Sequence, residues 1–191
     1  MYDLEHVRDR DISRKCTYRI NRQKCLDYKI IKKIGEGAES PVYLVERKDG
    51  QYFAAKFIPA SDAKSNDTEC FPKSKSKARE IVKNELLLRE IGVSVPIEEI
   101  RECEFVYQGQ PSTMIIIVMK LYDMTLGQYK NLYPLKRSKD IQNMIDSLEE
   151  KIYLAGYSFS DTHEDNILVK LDQDHNIIDL VFIDLKLEPI D

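Results

Sequence analysis

The sequence has 191 residues, of which 42% are hydrophobic and 32% are charged, a composition typical of a soluble globular protein with one ordinary domain or two small lobes. It holds no stretch of about 18–20 apolar residues and no apolar signal-peptide core near Met1, so we expect neither a membrane-spanning helix nor a secretion signal. The formal net charge of −4 is uneven: residues 1–33 carry ten basic and five acidic side chains (+5), and residues 140–191 carry three basic and thirteen acidic ones (−10). The acidic end suits a site for divalent cations, whereas the basic start either meets an anionic partner or is a solvated arm.

The four cysteines are scattered along the chain, at Cys16, Cys25, Cys70 and Cys103, and no two of them have CxxC spacing. This pattern favours free thiols over a disulfide framework or a zinc site. Free thiols indicate a reducing compartment, so we expect a cytoplasmic protein.

The first part of the chain predicts a sheet with one helix. Residues 1–27 are polar and weakly periodic, and we interpret them as an N-terminal extension. After them, apolar runs bounded by turn residues predict strands, and apolar residues at helical spacing predict a helix that Gly92 can end. The predicted strands are Tyr28–Ile34, Pro41–Glu46, Tyr52–Ile58, Glu104–Tyr107 and Thr113–Met119, and the predicted helix is Ala78–Ile91. Residues 59–77, rich in Ser, Lys and Asp, predict a flexible insertion.

Past Leu121-Tyr122-Asp123 the pattern changes to helices. A short helix is predicted from Thr125 to Leu132 and a longer one from about Ser138 to Ala155, which Gly156 ends. A strand over Ile167–Leu171, a turn and a last strand ending at Ile183 then predict a β-hairpin.

A glycine-rich turn separates the first two predicted strands. Gly35, Gly37 and Ser40 precede Val42 with the spacing G-x-G-x-x-S-x-V. Such a turn lets backbone N–H groups approach phosphate oxygens, and the apolar residue after it can cover a purine base. Taken alone the signal is weak, since glycines also simply make turns.

Lys56 lies in an apolar strand, directly after Ala54-Ala55. An ammonium group in such a place needs an anionic partner, and the predicted helix offers Glu80 and Glu85. Glu85 is the better candidate, because the leucines that follow it would dock the helix on the sheet. The alternative is a lysine at a strand end that reaches back to solvent.

Oxygen-bearing side chains flank the predicted hairpin near the end of the sequence. Asp161 and Asn166 stand five positions apart before it, and Asp184 closes its second strand. An Asp and an Asn so spaced can place a base beside a metal ligand. An isolated Asp can equally cap a turn.

These features, in this order, resemble the eukaryotic-type protein kinase superfamily over about residues 28–186. The resemblance implies a catalytic base, a lysine held by a helix glutamate, a nucleotide site under the glycine turn and two magnesium ligands. The implied catalytic residues are Asp161, Lys56 and Glu85. The implied nucleotide-binding residues are Gly35, Gly37, Val42, Ala54, Lys56, Met119 as the gatekeeper, and Lys120 and Leu121 in the hinge. The implied metal ligands are Asn166 and Asp184.

The sequence also departs from the family's pattern. Phe159-Ser160 replaces the usual His-Arg before the base, so control by phosphorylation of an activation loop is not expected. His163 replaces the usual Lys, and the resulting D-x-H-x-x-N pattern is similar to that of aminoglycoside and choline phosphotransferases. Asp184-Leu185-Lys186 replaces Asp-Phe-Gly, so the Gly that lets this segment flip is absent, and the sequence ends at Asp191. The resemblance therefore implies a minimal form without an activation segment or later helices, like small viral or bacterial-effector kinases.

We therefore expect an α+β, protein-kinase-like fold: a five-stranded antiparallel N-lobe sheet with one helix, and a much reduced, mainly helical C-lobe with a catalytic β-hairpin. The expected domains are an extension over 1–27, the N-lobe and hinge over 28–122 and the reduced C-lobe over 123–191. The expected function is ATP- and Mg²⁺-dependent phosphoryl transfer to a Ser or Thr hydroxyl of a protein. Two alternatives stay open, a pseudokinase that serves as a nucleotide- or partner-binding scaffold and a small-molecule phosphotransferase.

The resemblance also implies partners. The expected partners are a protein substrate and either an activating or scaffolding protein or a second copy of the chain, which would cover surface that a reduced lobe leaves on the long helix. We expect no membrane and no specific nucleic acid as a partner. The expected location is the cytoplasm, or the host cytoplasm for a viral or secreted effector protein.

Overall fold

The computed structural model describes residues 19–20, 27–36, 40–60, 74–107, 110–134, 139–160 and 162–190. The strands are β1 (Arg19–Ile20), β2 (Tyr28–Glu36), β3 (Pro41–Arg47), β4 (Tyr52–Ala60), β5 (Ile97–Tyr107), β6 (Gln110–Lys120), β7 (Met124–Thr125), β8 (Tyr157–Ser160), β9 (Ile167–Leu171), β10 (Ile177–Phe182) and β11 (Lys186–Pro189). The helices are α1 (Lys75–Ile91), α2 (Leu126–Leu132), α3 (Lys139–Leu154) and a 3₁₀ turn (Glu164–Asn166). Contacts divide the chain into two compact units, the first comprising Met1–Ile81 and Ile97–Leu121 and the second comprising Val82–Pro96 and Tyr122–Asp191.

The first unit contains an antiparallel sheet with the strand order β1-β5-β6-β4-β3-β2. The five predicted strands are all present. A sixth, β1, lies in the stretch interpreted as a polar extension, where it pairs with β5 through Arg19 opposite Val106. Among the described residues, the structure therefore adds one two-residue strand to the five that were predicted. A strand of two residues is too short to show any hydrophobic periodicity.

One face of this sheet carries the hydrophobic core of the first unit. The buried residues on it are Tyr43, Val45, Phe53, Ala55, Phe57, Cys103, Met114, Ile116 and Val118. They follow the period of two that places alternate residues of a strand on the same face. Edge-to-face ring contacts of Tyr28 with Phe53 and of Tyr43 with Phe57, at 5.7 and 5.1 Å between centroids, fix the packing of this face.

The elements differ from their predicted limits where charged residues interrupt the apolar pattern. Strand β5 begins at Ile97, seven residues before the predicted Glu104. The prediction missed these first residues because charged side chains interrupt the apolar ones. Those charges are paired at the surface; Arg47 Nη1 lies 2.7 Å from Glu98 Oε1, and Arg101 Nε lies 2.9 Å from Glu99 Oε2. Helix α1 begins at Lys75, and residues 61–73 of the predicted insertion lie outside the described residues.

Cys103 corrects the prediction of four free thiols. Its side chain is buried in the core face of the sheet, and it is disulfide-bonded. Disulfide partners distant in sequence need no local motif such as CxxC, so the spacing of the cysteines could not show this bond. The other three cysteines lie outside the described residues.

The second unit is built around the predicted C-terminal hairpin. Strands β9 and β10 pair in antiparallel fashion with Ile167 opposite Phe182, and β7 pairs on the other side of β9. Helices α2 and α3 and the last turns of α1 pack against this hairpin. The buried residues of this cluster are Leu88, Val93, Leu126, Tyr129, Leu148, Ile152, Ile167, Val169, Leu180, Phe182 and Leu185.

Glycines end the two long helices as predicted. Gly92 has φ +78° and Gly156 has φ +83°, in the left-handed region where a Cβ would be strained. After Gly92, the chain joins the hairpin, because Phe182 N–H donates to the carbonyl of Val93 at 2.8 Å. Within the described residues, no helix is long and apolar enough to cross a membrane.

Strands β8 and β11 were not predicted. They pair with each other in antiparallel fashion, with Ser160 opposite Lys186 and Tyr157 opposite Pro189. Their sequences mix polar and apolar residues over only four positions each, so neither gives a clear strand signal. Their pairing brings the residue before Asp161 beside the segment after Asp184.

Candidate functional site

Five of the predicted nucleotide-binding residues lie on one face of the first unit's sheet. Gly35 pairs with Val42, Val42 pairs with Lys56, and Ala54 pairs with Met119. Residues directly opposite each other in an antiparallel pair point to the same face, as do residues two apart in one strand. This face is the one opposite the hydrophobic core.

Lys56 is buried, with 5% of its surface exposed, in the middle of this face. Ala54 and Met119 beside it are buried as well. A lysine ammonium so far from water is costly unless an anion compensates it.

The predicted hinge residues follow at the end of β6. Lys120 pairs with Phe53 and is therefore on the core side of the sheet, where its side chain is exposed. Its side chain is thus not on the face of Lys56, and only its backbone can serve the predicted hinge role. Leu121, directly after β6, is half-buried. Gly37 lies outside the described residues.

Glu85 is buried on α1, with 8% of its surface exposed, whereas Glu80 is exposed and pairs with Lys77 at 3.0 Å. This difference supports the choice of Glu85 over Glu80, since a surface glutamate that is already paired needs no buried partner. Lys56 belongs to the first unit and Glu85 to the second. Their pairing stays a prediction.

The hairpin of the second unit brings the two predicted metal ligands to the same end. Asn166 directly precedes β9, and Asp184 follows two residues after β10. Ile183 N–H donates to the carbonyl of Asn166 at 2.9 Å, and Asn166 N–H donates to the carbonyl of His163 at 2.8 Å. The backbone on both sides of this pair is therefore held by hydrogen bonds.

Asp184 has φ +55°, in the left-handed region. Non-glycine residues adopt this conformation seldom, although Asp tolerates it better than most. Such strain is concentrated at functional sites, where the surrounding structure holds it in place. The next residue, Leu185, supplies that support, because its side chain is buried in the core of the second unit with 1% exposed.

Asn84 is a site residue that the sequence analysis missed. Its Nδ2 donates to the carbonyl of Leu185 at 2.7 Å in a partly buried position. This bond joins the helix turn that carries Glu85 to the segment that follows Asp184. An asparagine inside a helix and next to a buried glutamate was the available signal, since Asn is a poor helix former.

Two further polar contacts fix the start of the second unit. Tyr122 Oη donates to Asp179 Oδ2 at 2.6 Å, and burial together with this bond raises the pKa of Tyr122. Asp123 Oδ2 accepts from Leu171 N–H at 2.8 Å, and its other oxygen lies 3.3 Å from Lys170 Nζ. Both contacts tie the chain after the predicted hinge to the hairpin.

Asp161 lies outside the described residues, so its predicted role as the base rests on the sequence alone. Among the residues that the structure describes, no group of three or more His, Cys, Asp and Glu side chains could hold a metal ion. One carboxylate and one amide oxygen, from Asp184 and Asn166, nevertheless fit Mg²⁺. This ion is typically bound by one or two protein oxygens together with substrate phosphates and water.

Comparison with known proteins agrees with this fold. No protein-family model and no curated protein matches the sequence. Among solved structures, the chain is similar to the crystal structure of Rad53 1–466 in complex with AMP-PNP, with a TM-score of 0.55 and 21% sequence identity. The similarity covers 84% of this chain but only 39% of that chain. At this identity the likeness shows the fold alone, and it supports a protein-kinase-like fold.

The finer expectations go beyond this likeness. The sheet of the first unit is compatible with a kinase-like N-lobe. The reduced C-lobe, the minimal form of the family, the domain limits at 28, 122 and 123 and the site roles stay predictions.

Proposed function

We propose that the chain catalyses ATP- and Mg²⁺-dependent phosphoryl transfer to a Ser or Thr hydroxyl of a protein. The observation that carries this proposal is the end of the β9–β10 hairpin. There Ile183 N–H donates to the carbonyl of Asn166, which joins the segment just before β9 to the segment just after β10, and Asp184 has a strained backbone conformation. The kinase-like fold gives this arrangement its context.

The donor set fits the proposed cofactor. Bound Mg²⁺ would neutralise charge on the phosphates of ATP during in-line transfer. Asn166 and Asp184 would hold it through an amide and a carboxylate oxygen. Lys56, buried on the face that carries Val42 and Ala54, would bind the α- and β-phosphates through its ammonium group.

The face of the sheet around Lys56 would hold the rest of the nucleotide. Val42, Ala54 and Met119 offer an apolar surface for the adenine ring, and the backbone of Lys120 and Leu121 would read its polar edge. We propose Asp161 as the base that accepts the proton of the substrate hydroxyl. Because Ser160 is paired with Lys186, the residue before Asp161 is held by a strand contact.

The proposed partners follow from the reaction. A protein that carries the acceptor hydroxyl is the substrate, and an activating protein or a second copy would complete the acceptor site. The Rad53 structure that the chain resembles is a complex with AMP-PNP. The shared fold therefore supports the proposal that the present chain binds a nucleotide.

The proposal is tested by nucleotide binding and transfer in one set of proteins. Thermal unfolding of the whole chain is measured with ATP, with Mg²⁺ and with both, and transfer of a labelled γ-phosphate is measured to the chain itself and to generic protein substrates. We expect stabilisation that needs both ATP and Mg²⁺ and that Asp184→Asn abolishes. Asp161→Ala should keep the stabilisation and lose transfer. The control is Asp146→Asn, which changes an exposed carboxylate on α3.

The outcomes separate the proposal from the two alternatives. Stabilisation by Mg²⁺-ATP without any Asp161-dependent transfer would indicate a nucleotide-binding scaffold and contradict the proposal. Consumption of ATP only when a small hydroxylated or amino compound is added would indicate a small-molecule phosphotransferase. No response to ATP in any condition would exclude both kinds of phosphoryl transfer and a nucleotide-binding scaffold, and would leave the partner-binding scaffold.

A further inference from the structure

The loop that leads to Asn166 lies against the short helix α2. Thr125 Oγ1, at the start of this helix, donates to Asp165 Oδ1 at 3.4 Å. Lys130, one turn further along, forms an ion pair with Glu164. The two residues directly before Asn166 are thus both held by α2.

Gly127 is what allows this close approach. A Cβ atom at this position would stand 2.7 Å from Asp165 Oδ1 and 3.6 Å from the Cβ of Glu164. Real Cβ contacts essentially never fall below 3.0 Å, so any other side chain would push the carboxylate of Asp165 away from Thr125. That carboxylate ends a flexible side chain, so it would rotate away and lose its contact with Thr125.

The backbone of Gly127 does not itself call for glycine. Gly50, Gly92 and Gly156 have positive φ, and Gly127 is not among the positive-φ glycines. In an ordinary helical conformation glycine is a much poorer helix former than alanine. The contact with Asp165 is therefore the physical reason that we find for glycine here.

We propose that α2 positions the metal-binding end of the hairpin, with Gly127 and Thr125 holding Asp165 and with Lys130 holding Glu164. The held residues precede Asn166, whose own backbone is bonded to His163 and Ile183. Gly127 is thus a positioning residue, which acts on Asn166 through Asp165. The inference rests on the proposed function, because it takes Asn166 to be a ligand of Mg²⁺.

The test is a double-mutant cycle on the whole chain with the variants Gly127→Ala, Asp165→Ala and the two together. Thermal unfolding is measured for each, as is the Mg²⁺ concentration that gives half of the stabilisation by ATP. Asn131→Ala, an exposed change on the same helix, is the matched control. If the contact exists, Gly127→Ala lowers the unfolding midpoint in the wild-type background and raises it in the Asp165→Ala background, where the better helix former meets no obstacle.

The Mg²⁺ titration distinguishes positioning from a merely structural contact. We expect Gly127→Ala to raise the half-saturating Mg²⁺ concentration by about threefold or more, equivalent to roughly 0.7 kcal/mol of binding free energy, with Asn131→Ala at the wild-type value. An unchanged Mg²⁺ concentration in Gly127→Ala, or a rise in its unfolding midpoint in both backgrounds, overturns the inference while the proposed function stands. Failure of the wild-type chain to respond to Mg²⁺ and ATP overturns the proposed function itself and the positioning role with it.

Discussion

Replacing Asn84 tests the contact that holds α1 on the segment after Asp184. Its Nδ2 donates to the carbonyl of Leu185 at 2.7 Å in a partly buried position, and Asn84→Ala leaves that carbonyl without this donor. An unsatisfied buried acceptor costs about 1–3 kcal/mol. Because partial exposure lets water compensate in part, we expect a loss of about 1–2 kcal/mol. In a chain of this size that corresponds to a fall in the unfolding midpoint of roughly 2–8 °C.

The measurement is urea unfolding of the whole chain, compared with that of Asn143→Ala. Asn143 is exposed on α3, and alanine is a better helix former than asparagine, so this control should match the wild type or exceed it slightly. The difference between the two variants isolates the bond to Leu185. Equal stability of Asn84→Ala and the control would refute the reasoning.

An isosteric substitution at Asn84 makes the stability of the protein depend on pH. Asn84→Asp keeps the shape but sets a carboxylate against the carbonyl of Leu185, which raises the pKa of the new group in the folded state. Its protonated form can donate, so stability is present at low pH and is lost as pH rises through the folded-state pKa. The variant should approach the wild type near pH 4 and fall well below it at pH 7. A difference from the wild type that is independent of pH would contradict this account.

Three further predictions concern the second unit. Phe182→Ala should cost about 3–5 kcal/mol in urea unfolding, because Phe182 is fully buried, whereas Ile178→Ala on the same strand, where the side chain is 58% exposed, should cost well under 1 kcal/mol. Since the pKa of Tyr122 is raised, its contribution to stability is full below about pH 10 and is lost above it. Tyr122→Phe should therefore be less stable by about 1 kcal/mol at pH 8 and approach the wild type near pH 11, and a constant gap would contradict this. Asp123→Ala should cost about 1 kcal/mol and speed amide hydrogen exchange at Leu171, whose N–H it leaves without an acceptor.

The sequence predicted the elements whose hydrophobic pattern is long and clear. Strands β3, β4 and β6 contain apolar runs, helices α1 and α3 carry apolar residues at helical spacing, and each element lies within a few residues of its predicted limits. Local signals also placed the two glycines that end the long helices. For these elements the periodicity reflects which face is buried, so a single sequence is enough.

The elements that were missed are stabilised by pairing partners far away in the chain. Strand β1 pairs with β5 across more than eighty residues, and β11 pairs with β8 across about thirty. Neither has a period of its own that a window of sequence could show. The disulfide of Cys103 was missed for the same reason, since its cause is proximity in the fold and not spacing in the chain.

The candidate site also has parts that the sequence could predict and parts that it could not. Residues in strands, such as Val42, Ala54 and Lys56, could be placed relative to each other from the predicted sheet, because strand pairing fixes which side chains share a face. The contacts that support the site could not be predicted in this way. Asn84 and Gly127 contact residues of other elements, and even the local signal at Asn84 does not identify its partner.

The contacts of Leu185 and Lys186 give a physical reason for the sequence Asp184-Leu185-Lys186, where the kinase pattern has Asp-Phe-Gly. We expected that loss of the glycine removes the freedom of this segment to flip. Lys186 is the first residue of β11 and pairs with Ser160. A glycine in this strand would weaken it. Leu185 fills the core and binds Asn84 through its carbonyl. Asp184 is therefore held on both sides, by the bond of Ile183 to Asn166 and by the buried Leu185, and its strained backbone has structure around it to sustain it.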